Sequence, residues 1–322
     1  MKQWTKWLSA LGAATLLAAC GGSDDPAPGT LATEATNRGF SSLVAAADKA
    51  GLVPALSDSA SSLTVFAPTN AAFDTLATTL GFADAGAMVA ALDSATLAKI
   101  LQYHVLPMKK TAADLVADGA TQATLYQFEG AATTLALDTS NGVKITDEVL
   151  AQANVSTANV AASNGVIHVI DKVLVPPGVL NIVQMAELNP AFSILVEAVV
   201  TANLAGTLSS PGPFTVFAPT DTAFAAALTE LSISKAALLA NPNLGSVLLY
   251  HVVPGDLRAA DVIALPKPAV VATALTGASF TVDMNLAITD ALSRVAMLAA
   301  TDVVASNGVI HVIDKVLLPV AP

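Results

Sequence analysis

Apolar residues recur at helical spacing in matching places of the two halves of the chain. In each half a buried helix face is predicted from residues at i, i+3, i+4 and i+7: Phe73, Leu76, Ala77 and Leu80, then Phe224, Ala227, Leu228 and Leu231. The residues before the first run, Thr64-Val65-Phe66, are β-branched or aromatic and predict a strand. Thr69 or Asn70, and their counterparts in the second half, can cap the helix that follows.

A second helix is predicted before each of two Tyr-His pairs. Its inward positions show the same spacing: Leu97, Ile100, Leu101 and His104, then Leu244, Val247, Leu248 and His251. Each histidine therefore continues the apolar face of its helix, and we expect it to point into the core. Pro107 and Pro254 end any helical continuation.

A strand with apolar residues on both faces is predicted at 166–170, Val-Ile-His-Val-Ile. A strand of this kind belongs in the middle of a sheet that is covered on both sides. The preceding pair Asn164-Gly165, and its counterpart Asn307-Gly308, are typical of tight hairpins, so we expect positive φ angles at these residues.

The chain contains one domain twice. Residues 162–176 and 305–319 are identical at 14 of 15 positions, 64–73 matches 215–224, and 103–107 matches 250–254. In the same order, the copies are separated by 143, 151 and 147 residues, which indicates a tandem domain duplication with small deletions and not a short-period solenoid. We therefore predict a first domain at 31–176 and a second domain at 177–319.

The N-terminus has the pattern of a secretion signal. Lys2 and Lys6 precede an apolar run, and Leu17-Ala18-Ala19-Cys20 is similar to a bacterial lipobox. We predict a signal peptide at 1–19, lipidation at Cys20 and a flexible tether over 20–30. The alternative is an ordinary signal peptide with an incidental cysteine. Gly21 stands where inner-membrane retention signals of Gram-negative lipoproteins usually have Asp, so the outer membrane is the expected location, with the protein periplasmic or surface-exposed.

Composition narrows the classes of partner. The net charge is −11, and loss of the two lysines with the signal leaves 12 − 25 = −13, which repels nucleic acid and anionic lipid. Hydrophobic residues make up 54%, yet past the N-terminus no apolar stretch reaches the roughly 20 residues of a membrane span. We therefore expect membrane contact only through the N-terminal lipid. Cys20 is the only cysteine, so no internal disulfide is expected.

The three repeated blocks resemble those of the fasciclin-type domain family, in the same order in both halves. The blocks are TVFAPTNAAF at 64–73, the Tyr-His block at 103–107 and the closing NGVIHVIDKVLVP at 164–176, each with its second copy. The resemblance implies an α/β (α+β) unit with a wedge of two β-sheets and a helical layer along one edge. It also implies a role in extracellular adhesion through protein–protein or protein–glycan contacts.

The chain holds few groups that could carry catalysis or bind a metal. Its four histidines form two matched pairs, without carboxylates or thiolates at metal-ligand spacing. A hydrolase using Ser163, His168 and Asp171 is disfavoured, because His168 and Asp171 lie on opposite faces of a strand and no nucleophile-elbow motif is present. We therefore expect no enzyme activity, cofactor or metal. Structural roles are predicted for the residues of the closing block: Asn164, Gly165, His168, Asp171, Asn307, Gly308, His311 and Asp314.

Two sets of residues are candidates for recognition. In animal relatives of the family a Tyr-His block is implicated in integrin binding, which makes Tyr103, His104, Tyr250 and His251 candidates, although a buried structural role agrees better with the periodicity. The other set is where the copies diverge, as in the loops at 139–142 and 284–285. The resulting hypothesis is a non-enzymatic envelope lipoprotein for adhesion to extracellular protein, matrix or glycan, with homotypic contact as one option. The alternative is an envelope module that binds a small ligand or polysaccharide.

Overall fold

The computed structural model describes residues 27–319, which form two α/β units of one plan. The predicted signal peptide and Cys20 lie outside the described residues. The helices of the first unit are α1 (Leu31–Asn37), α2 (Ser41–Lys49), α3 (Val53–Ser57), α4 (Asn70–Thr79), α5 (Ala85–Ala91), α6 (Ser94–Tyr103) and α7 (Ala112–Ala117). Its strands are β1 (Leu63–Pro68), β2 (Val105–Leu106), β3 (Thr121–Phe128), β4 (Ala131–Asp138), β5 (Lys144–Thr146), β6 (Gln152–Ala162) and β7 (Gly165–Ile170).

The second unit repeats this order. Its helices are α8 (Ile182–Leu188), α9 (Ser193–Thr201), α10 (Ala205–Leu208), α11 (Asp221–Glu230), α12 (Lys235–Leu239), α13 (Leu244–Tyr250) and α14 (Ala259–Ala264), with a 3₁₀ turn at Pro190–Phe192. Its strands are β8 (Phe214–Pro219), β9 (Val252–Pro254), β10 (Ala269–Ala272), β11 (Ser279–Val282), β12 (Ile288–Thr289), β13 (Val295–Ala296), β14 (Leu298–Ala305) and β15 (Gly308–Ile313).

The closing strand of each unit is central, as predicted. In the first unit β7 lies between β1, to which it is parallel, and β6, and all six of its residues are buried. The long strand β6 continues past β7 to pair with β5, so that one strand joins two sheets. In the second unit the equivalent stretch is interrupted at Met297, and the sheets β14-β15-β8-β9 and β10-β11-β12-β13 are separate. The α/β class with sheets and a helical layer is thus confirmed.

The helices after β1 and β8 begin at the predicted threonines. The Oγ1 atoms of Thr69 and Thr220 accept the backbone N–H groups three residues on, both at 3.2 Å. The adjacent Asn70 does not cap but accepts the N–H of Ser42, which ties α4 to α2. In the first unit the predicted apolar face is buried except at Leu80, which lies past the end of α4 and is half-buried, whereas in the second Leu231 lies past the end of α11 with 42% of its surface exposed. The prediction of a fully buried second face is therefore wrong at this residue.

The Asn-Gly pairs serve close packing instead of a positive-φ turn. The turn residues are Ser163 and Asn164, and of the two pairs only Gly308 has a positive φ, of 150°. The predicted backbone conformation is therefore wrong for Asn164, Gly165 and Asn307. Glycine is needed because a Cβ atom at Gly165 would overlap the carbonyl oxygen of Leu63, and one at Gly308 would overlap that of Phe214.

The two units pack against each other through the segment around residue 149. Val149, Ala151 and Val175 of the first unit belong to the same buried cluster as the core of the second. Asn189 Nδ2 of the second unit donates to the carbonyl of Val149 at 2.8 Å. Gly178 in the connecting segment donates its N–H to the Val304 carbonyl at 3.0 Å. The connection between the units is therefore part of a packed interface.

Within residues 27–319, no single helix is long and apolar enough to cross a membrane. The helical segments 182–188 and 190–201 reach the required length and composition only together, and they are bent by 108° at their junction.

Candidate binding surface

The histidines of the Tyr-His pairs are locked inside the fold by backbone bonds. His104 Nε2 accepts the N–H of Leu174 at 2.8 Å, so the ring proton is on Nδ1, which donates to the Ile100 carbonyl at 2.7 Å. His251 makes the same two bonds, to Leu317 and Val247, both at 2.8 Å. Each imidazole thereby joins the C-terminal end of its helix to the segment after the central strand.

The histidines of the central strands have the opposite tautomer. His168 Nδ1 accepts the N–H of Asn159 at 3.3 Å, and Nε2 donates to the Lys110 carbonyl at 2.9 Å. His311 Nδ1 accepts from Asp302, and Nε2 donates to the Leu257 carbonyl at 2.8 Å. Both ring nitrogens are thus already bonded in all four histidines.

Burial favours the neutral form of three of these rings, those of His104, His168 and His251. It lowers the pKa of His104 and of His251 from 6.5 to about 4, with the bond to the helix carbonyl acting in the opposite direction. It also lowers the pKa of His168. Among residues 27–319, no group of three or more His, Cys, Asp or Glu side chains could hold a metal ion.

The tyrosines of the same pairs also face inward. Tyr103 and Tyr250 are at most 1% exposed, and their hydroxyls donate to the carbonyls of Thr134 and Ser279 at 3.3 and 2.8 Å. Burial raises the pKa of Tyr103 above its ordinary value of 10.0. The structure therefore brings these recognition candidates together in the core and not on a surface that a partner can reach.

The other residues of the closing block hold backbone segments in place. Asn164 Oδ1 accepts the N–H of Leu31 at 2.8 Å, and Nδ2 donates to the carbonyls of Leu56 and Asp58. The side chain thus joins the start of α1 and the end of α3 to the β6–β7 turn. Asn307 makes the equivalent bonds in the second unit, to Ile182, Leu208 and Ser210.

Asp171 and Asp314 bond the backbone at the junction of the two sheets. Asp171 accepts the N–H of Asn154 at 2.7 Å, and Asp314 accepts that of Met297 at 2.7 Å. The Asp171 carboxylate therefore contacts Asn154, whereas the His168 ring contacts Asn159 and Lys110. This arrangement offers no relay of the kind a hydrolase would need.

An exposed aliphatic row crosses the outer face of the β10–β13 sheet. The register places Val270 opposite Thr281, Thr281 opposite Thr289, and Thr289 opposite Val295, so the four share one face. Val270 is 68% exposed and Val295 is 48% exposed. Met297, two residues beyond Val295 and 45% exposed, follows the row, and we call the five residues the outer row.

The equivalent row of the first unit is mostly polar. Matching registers place Thr121, Ala136, Thr146, Gln152 and Asn154 at the five positions. Val270, Val295 and Met297 thus replace Thr121, Gln152 and Asn154. The inner positions of both sheets are buried, but those of β3 include the polar residues Gln122 and Thr124, whereas those of β10 are Ala269 and Val271.

The outer row was not identified from the sequence. In Ala269-Val270-Val271 both faces of the strand are aliphatic, so alternation does not reveal which side meets solvent. A copy-by-copy comparison would have shown polar residues in one half and apolar residues in the other, once the strand registers were known. Of the two divergent loops named from the sequence, the one at 284–285 joins β11 to β12 of this sheet, and its Met284 is 78% exposed.

Comparison with known proteins identifies the family. The sequence profile of the fasciclin domain matches residues 38–176 and 190–319. An uncharacterized protein of Synechocystis sp., sll1735, is 43% identical over 139 residues, which are 43% of this chain and 97% of that protein. Transforming growth factor-beta-induced protein ig-h3 of Oryctolagus cuniculus is 34% identical over 49% of this chain and 22% of that protein.

One solved structure was matched over most of the chain. It is a FAS1 domain pair from the insect cell adhesion molecule fasciclin I, 20% identical in sequence, with a TM-score of 0.46 over 89% of this chain and 98% of that one. Two profile matches in tandem cover most of the residues that the structure describes. The chain therefore belongs to the fasciclin domain family and carries two copies of the domain.

Proposed function

We propose that this protein is a lipid-anchored adhesion protein of the cell envelope, with no catalytic role, and that it binds a protein partner through the outer row of its second domain. Membership of the fasciclin domain family supports a binding or adhesion module. The observation that carries the finer proposal is the replacement of three polar residues by Val270, Val295 and Met297 on one exposed sheet face.

The chemistry of the outer row favours protein over glycan. Burying aliphatic side chains against a partner is favourable because it removes them from water, but these side chains offer no hydrogen bonds to sugar hydroxyls. The threonines between them, Thr281 and Thr289, are half-buried and add hydroxyls at the centre of the row. A second copy of this chain is one such partner, and it is distinguished from a foreign protein by the test below.

The test exchanges the two copies at matched positions. A triple variant, Val270→Thr, Val295→Gln and Met297→Asn, gives the second domain the side chains of the first. We expect attachment of cells to surfaces to fall while the Tm of the purified protein changes little, because these side chains are exposed. Self-association, measured by light scattering over a concentration series, should fall in parallel if the partner is a second copy.

The matched control changes the first domain in the opposite direction, with Thr121→Val, Gln152→Val and Asn154→Met. It adds apolar surface without altering the outer row, so attachment through the second domain should persist. Equal attachment by the wild type and the triple variant would overturn the assignment of the outer row.

The anchor is part of the same proposal. It rests on the lipobox-like sequence that ends at Cys20. Cys20→Ser should move the protein from the membrane fraction to the soluble fraction, and lipid labelling of the cysteine should be lost. Unchanged fractionation would contradict lipid anchoring but would leave the outer row untouched.

A second candidate function is supported by a cavity in the first domain. A space of about 110 Å³ with apolar walls lies between α1, α2 and the first sheet, whereas the equivalent space in the second domain is about 30 Å³. Ala47 lines the larger cavity where Val199 lines the smaller one. A small apolar ligand that raises the Tm of the wild type but not of Ala47→Val would favour this function.

A further inference from the structure

An arginine and an aspartate form a buried pair in the second domain. Arg294 donates from Nε and Nη2 to Asp290 Oδ2 at 3.0 and 2.8 Å, and from Nη2 to the Val316 carbonyl at 2.7 Å. Its Nη1 lies 3.4 Å from Glu230. Asp290 also accepts the N–H of Leu318 at 3.0 Å. The guanidinium therefore meets two carboxylates and a carbonyl.

The first domain keeps the aspartate but lacks the arginine. Asp147 occupies the position of Asp290 and accepts the N–H groups of Ala151 and Val175 at 3.2 and 2.9 Å. These two bonds match those that the Asp290 carboxylate accepts from the backbone N–H groups of Arg294 and Leu318. The residue in the place of Arg294 is Ala151, so no side chain at this position reaches the carboxylate.

A cavity of about 210 Å³ lies where the arginine side chain is missing. The first-domain counterparts of the Arg294 contacts all line it: Asp147 for Asp290, Val173 for Val316 and Thr79 for Glu230, together with Ala151 itself. Exposed residues at its edge, including Thr75, leave it open to solvent. The residues that surround the guanidinium of Arg294 in the second copy thus have counterparts around this cavity, but no side chain takes the place of Arg294.

The charges around the cavity favour a cation. Asp147, Asp171 and Lys172 line it from the first domain, and Glu187 lines it from the second, which gives three carboxylates against one ammonium. Burial raises the pKa of Asp147 to about 7 and also raises the pKa of Glu187. The pKa of Asp147 is raised because the effect of burial outweighs its bonds to backbone N–H groups and the charge of Lys172.

Lys172 does not take the place of the arginine. Its counterpart in the second domain is Lys315, which is present there together with the Arg294–Asp290 pair. A lysine at this position is therefore compatible with a guanidinium in the site. The described residues also contain no carboxylate set suited to a metal ion, which leaves an organic cation.

We propose that this cavity, at the boundary of the two domains, is a binding site for a guanidinium group. The planar fork would donate to the Asp147 carboxylate and the Val173 carbonyl, as Arg294 does to Asp290 and Val316. The source is either the arginine side chain of a partner protein or a small free guanidinium compound. This site is separate from the outer row, so its test is independent of the proposed function.

The experiment titrates the purified protein with four small probes while amide resonances are followed by NMR. Ethylguanidinium should shift the amides of Ala151 and Val175, ethylammonium should do so more weakly, and neutral ethylurea should have no effect. N-acetyl-arginine amide, compared with ethylguanidinium, separates the two sources: tighter binding of the amide points to a partner's side chain. Binding should strengthen between pH 6 and pH 8 as Asp147 ionises.

Three variants make the site assignment specific. Asp147→Asn should weaken ethylguanidinium binding by about tenfold or more, because the charged acceptor is lost. Ala151→Arg should fill the cavity, raise the Tm and abolish binding, whereas Ala151→Leu should block the site without the same gain. Arg294→Ala should open an equivalent site in the second domain, which guanidinium should then stabilise.

Two results would contradict a guanidinium site in this cavity. Equal shifts with ethylurea and ethylguanidinium, or undiminished binding by both Asp147→Asn and Ala151→Arg, would overturn the proposal. Asp147→Asn keeps the size of the side chain and one of its two acceptor oxygens, and Ala151→Leu blocks the cavity without touching Asp147, so the two variants together test the site even if the arginine variant fails to fold.

Discussion

The carboxylate of Glu148 in the first domain accepts the backbone N–H of Val304 in the second at 2.6 Å. The backbone N–H of Glu148 in turn donates to the Val175 carbonyl at 3.3 Å, just before the segment that connects the domains. The counterpart of Glu148 in the second copy is Ala291. This acid is therefore a feature of the first copy alone, placed where that copy meets its neighbour.

Removing this carboxylate should loosen the pairing of the domains. Glu148→Ala leaves the Val304 N–H without its partner, at a cost of about 1–3 kcal/mol. We expect a lower Tm and, in calorimetry, separation of one unfolding transition into two. Glu148→Gln keeps an oxygen acceptor and should behave like the wild type.

A control for Glu148→Ala is available in the same interface. Glu129 pairs with Arg258 across the domains at 2.9 Å, and 59% of its side chain is exposed. Glu129→Ala should cost about 0–1 kcal/mol, as for other exposed ion pairs. If Glu148→Ala costs no more than Glu129→Ala, the bond from Glu148 does not hold the domains together.

Acid should destabilise the fold through two buried histidines. The pKa of His104 and of His251 is about 4 in the folded state and about 6.5 when unfolded. Between these values the unfolded chain binds more protons, so stability falls as the pH decreases from 6.5 towards 4. Each histidine should contribute on the order of 3 kcal/mol to this loss, measured as the free energy of unfolding in urea.

Two buried acids oppose this effect and must be removed to observe it. Burial raises the pKa of Asp147 and of Glu148 to about 7, so their effect on stability becomes less favourable as the pH rises from about 4 to 7. In an Asp147→Asn, Glu148→Gln background, stability should rise with pH over the histidine range. Adding His104→Gln and His251→Gln should flatten that slope, and an unchanged slope would show that these rings do not cause it.

A methyl group at Gly165 should disrupt the contact between β7 and β1. The new Cβ would overlap the Leu63 carbonyl, which belongs to a paired strand and cannot move aside easily. Gly165→Ala should therefore lower the free energy of unfolding by several kcal/mol or prevent folding, as judged by the yield of soluble protein. Gly206→Ala is the matched control, since nothing lies within 4 Å of its Cβ position and its φ is not positive, and it should be tolerated.

The side chain of Asn164 should matter through its amide group. Asn164→Ala leaves the Leu31 N–H and the carbonyls of Leu56 and Asp58 without this partner, at roughly 1–3 kcal/mol for each buried group. Asn164→Asp keeps the acceptor for Leu31 but turns a buried carboxylate oxygen towards the two carbonyls, so at neutral pH it should be at least as destabilising as Asn164→Ala in urea unfolding. Equal stability of all three proteins would refute the predicted structural role.

The sequence was sufficient for the elements whose burial follows a strict period. The faces of α6 and α13 end in His104 and His251, and both rings are inside, because one histidine at helical spacing must share the environment of its apolar neighbours. The hairpin at Asn164 was also predictable, but its backbone angles were not. The Asn-Gly pair suggests a positive-φ turn there. Glycine is needed at 165 for another reason, because the carbonyl oxygen of Leu63, which is distant in sequence, leaves no room for a Cβ atom.

The functional surfaces were harder to predict because they depend on pairing between distant strands. Val270 and Val295 lie on one face only through the registers of β11 and β12. The same holds for the cavity beside Asp147, which was not predicted at all. The sequence does contain the relevant difference, because Ala151 in the first copy corresponds to Arg294 in the second. That this difference leaves a cavity is known only from the positions of Val173 and Thr79, which line it.

The chain is held at both ends of β7. At its start, Ser163 donates to the Gly29 carbonyl at 2.8 Å, and past its end Val175 leads into the second domain. The six residues of β7, all paired with β1, span roughly 20 Å at about 3.3 Å per residue. If the chain is anchored through its N-terminus, as proposed, tension between that anchor and the second domain would act along this strand and load its hydrogen bonds together instead of one after another. In an adhesion protein, the first domain would then carry mechanical force in shear, the direction in which a β-strand resists most.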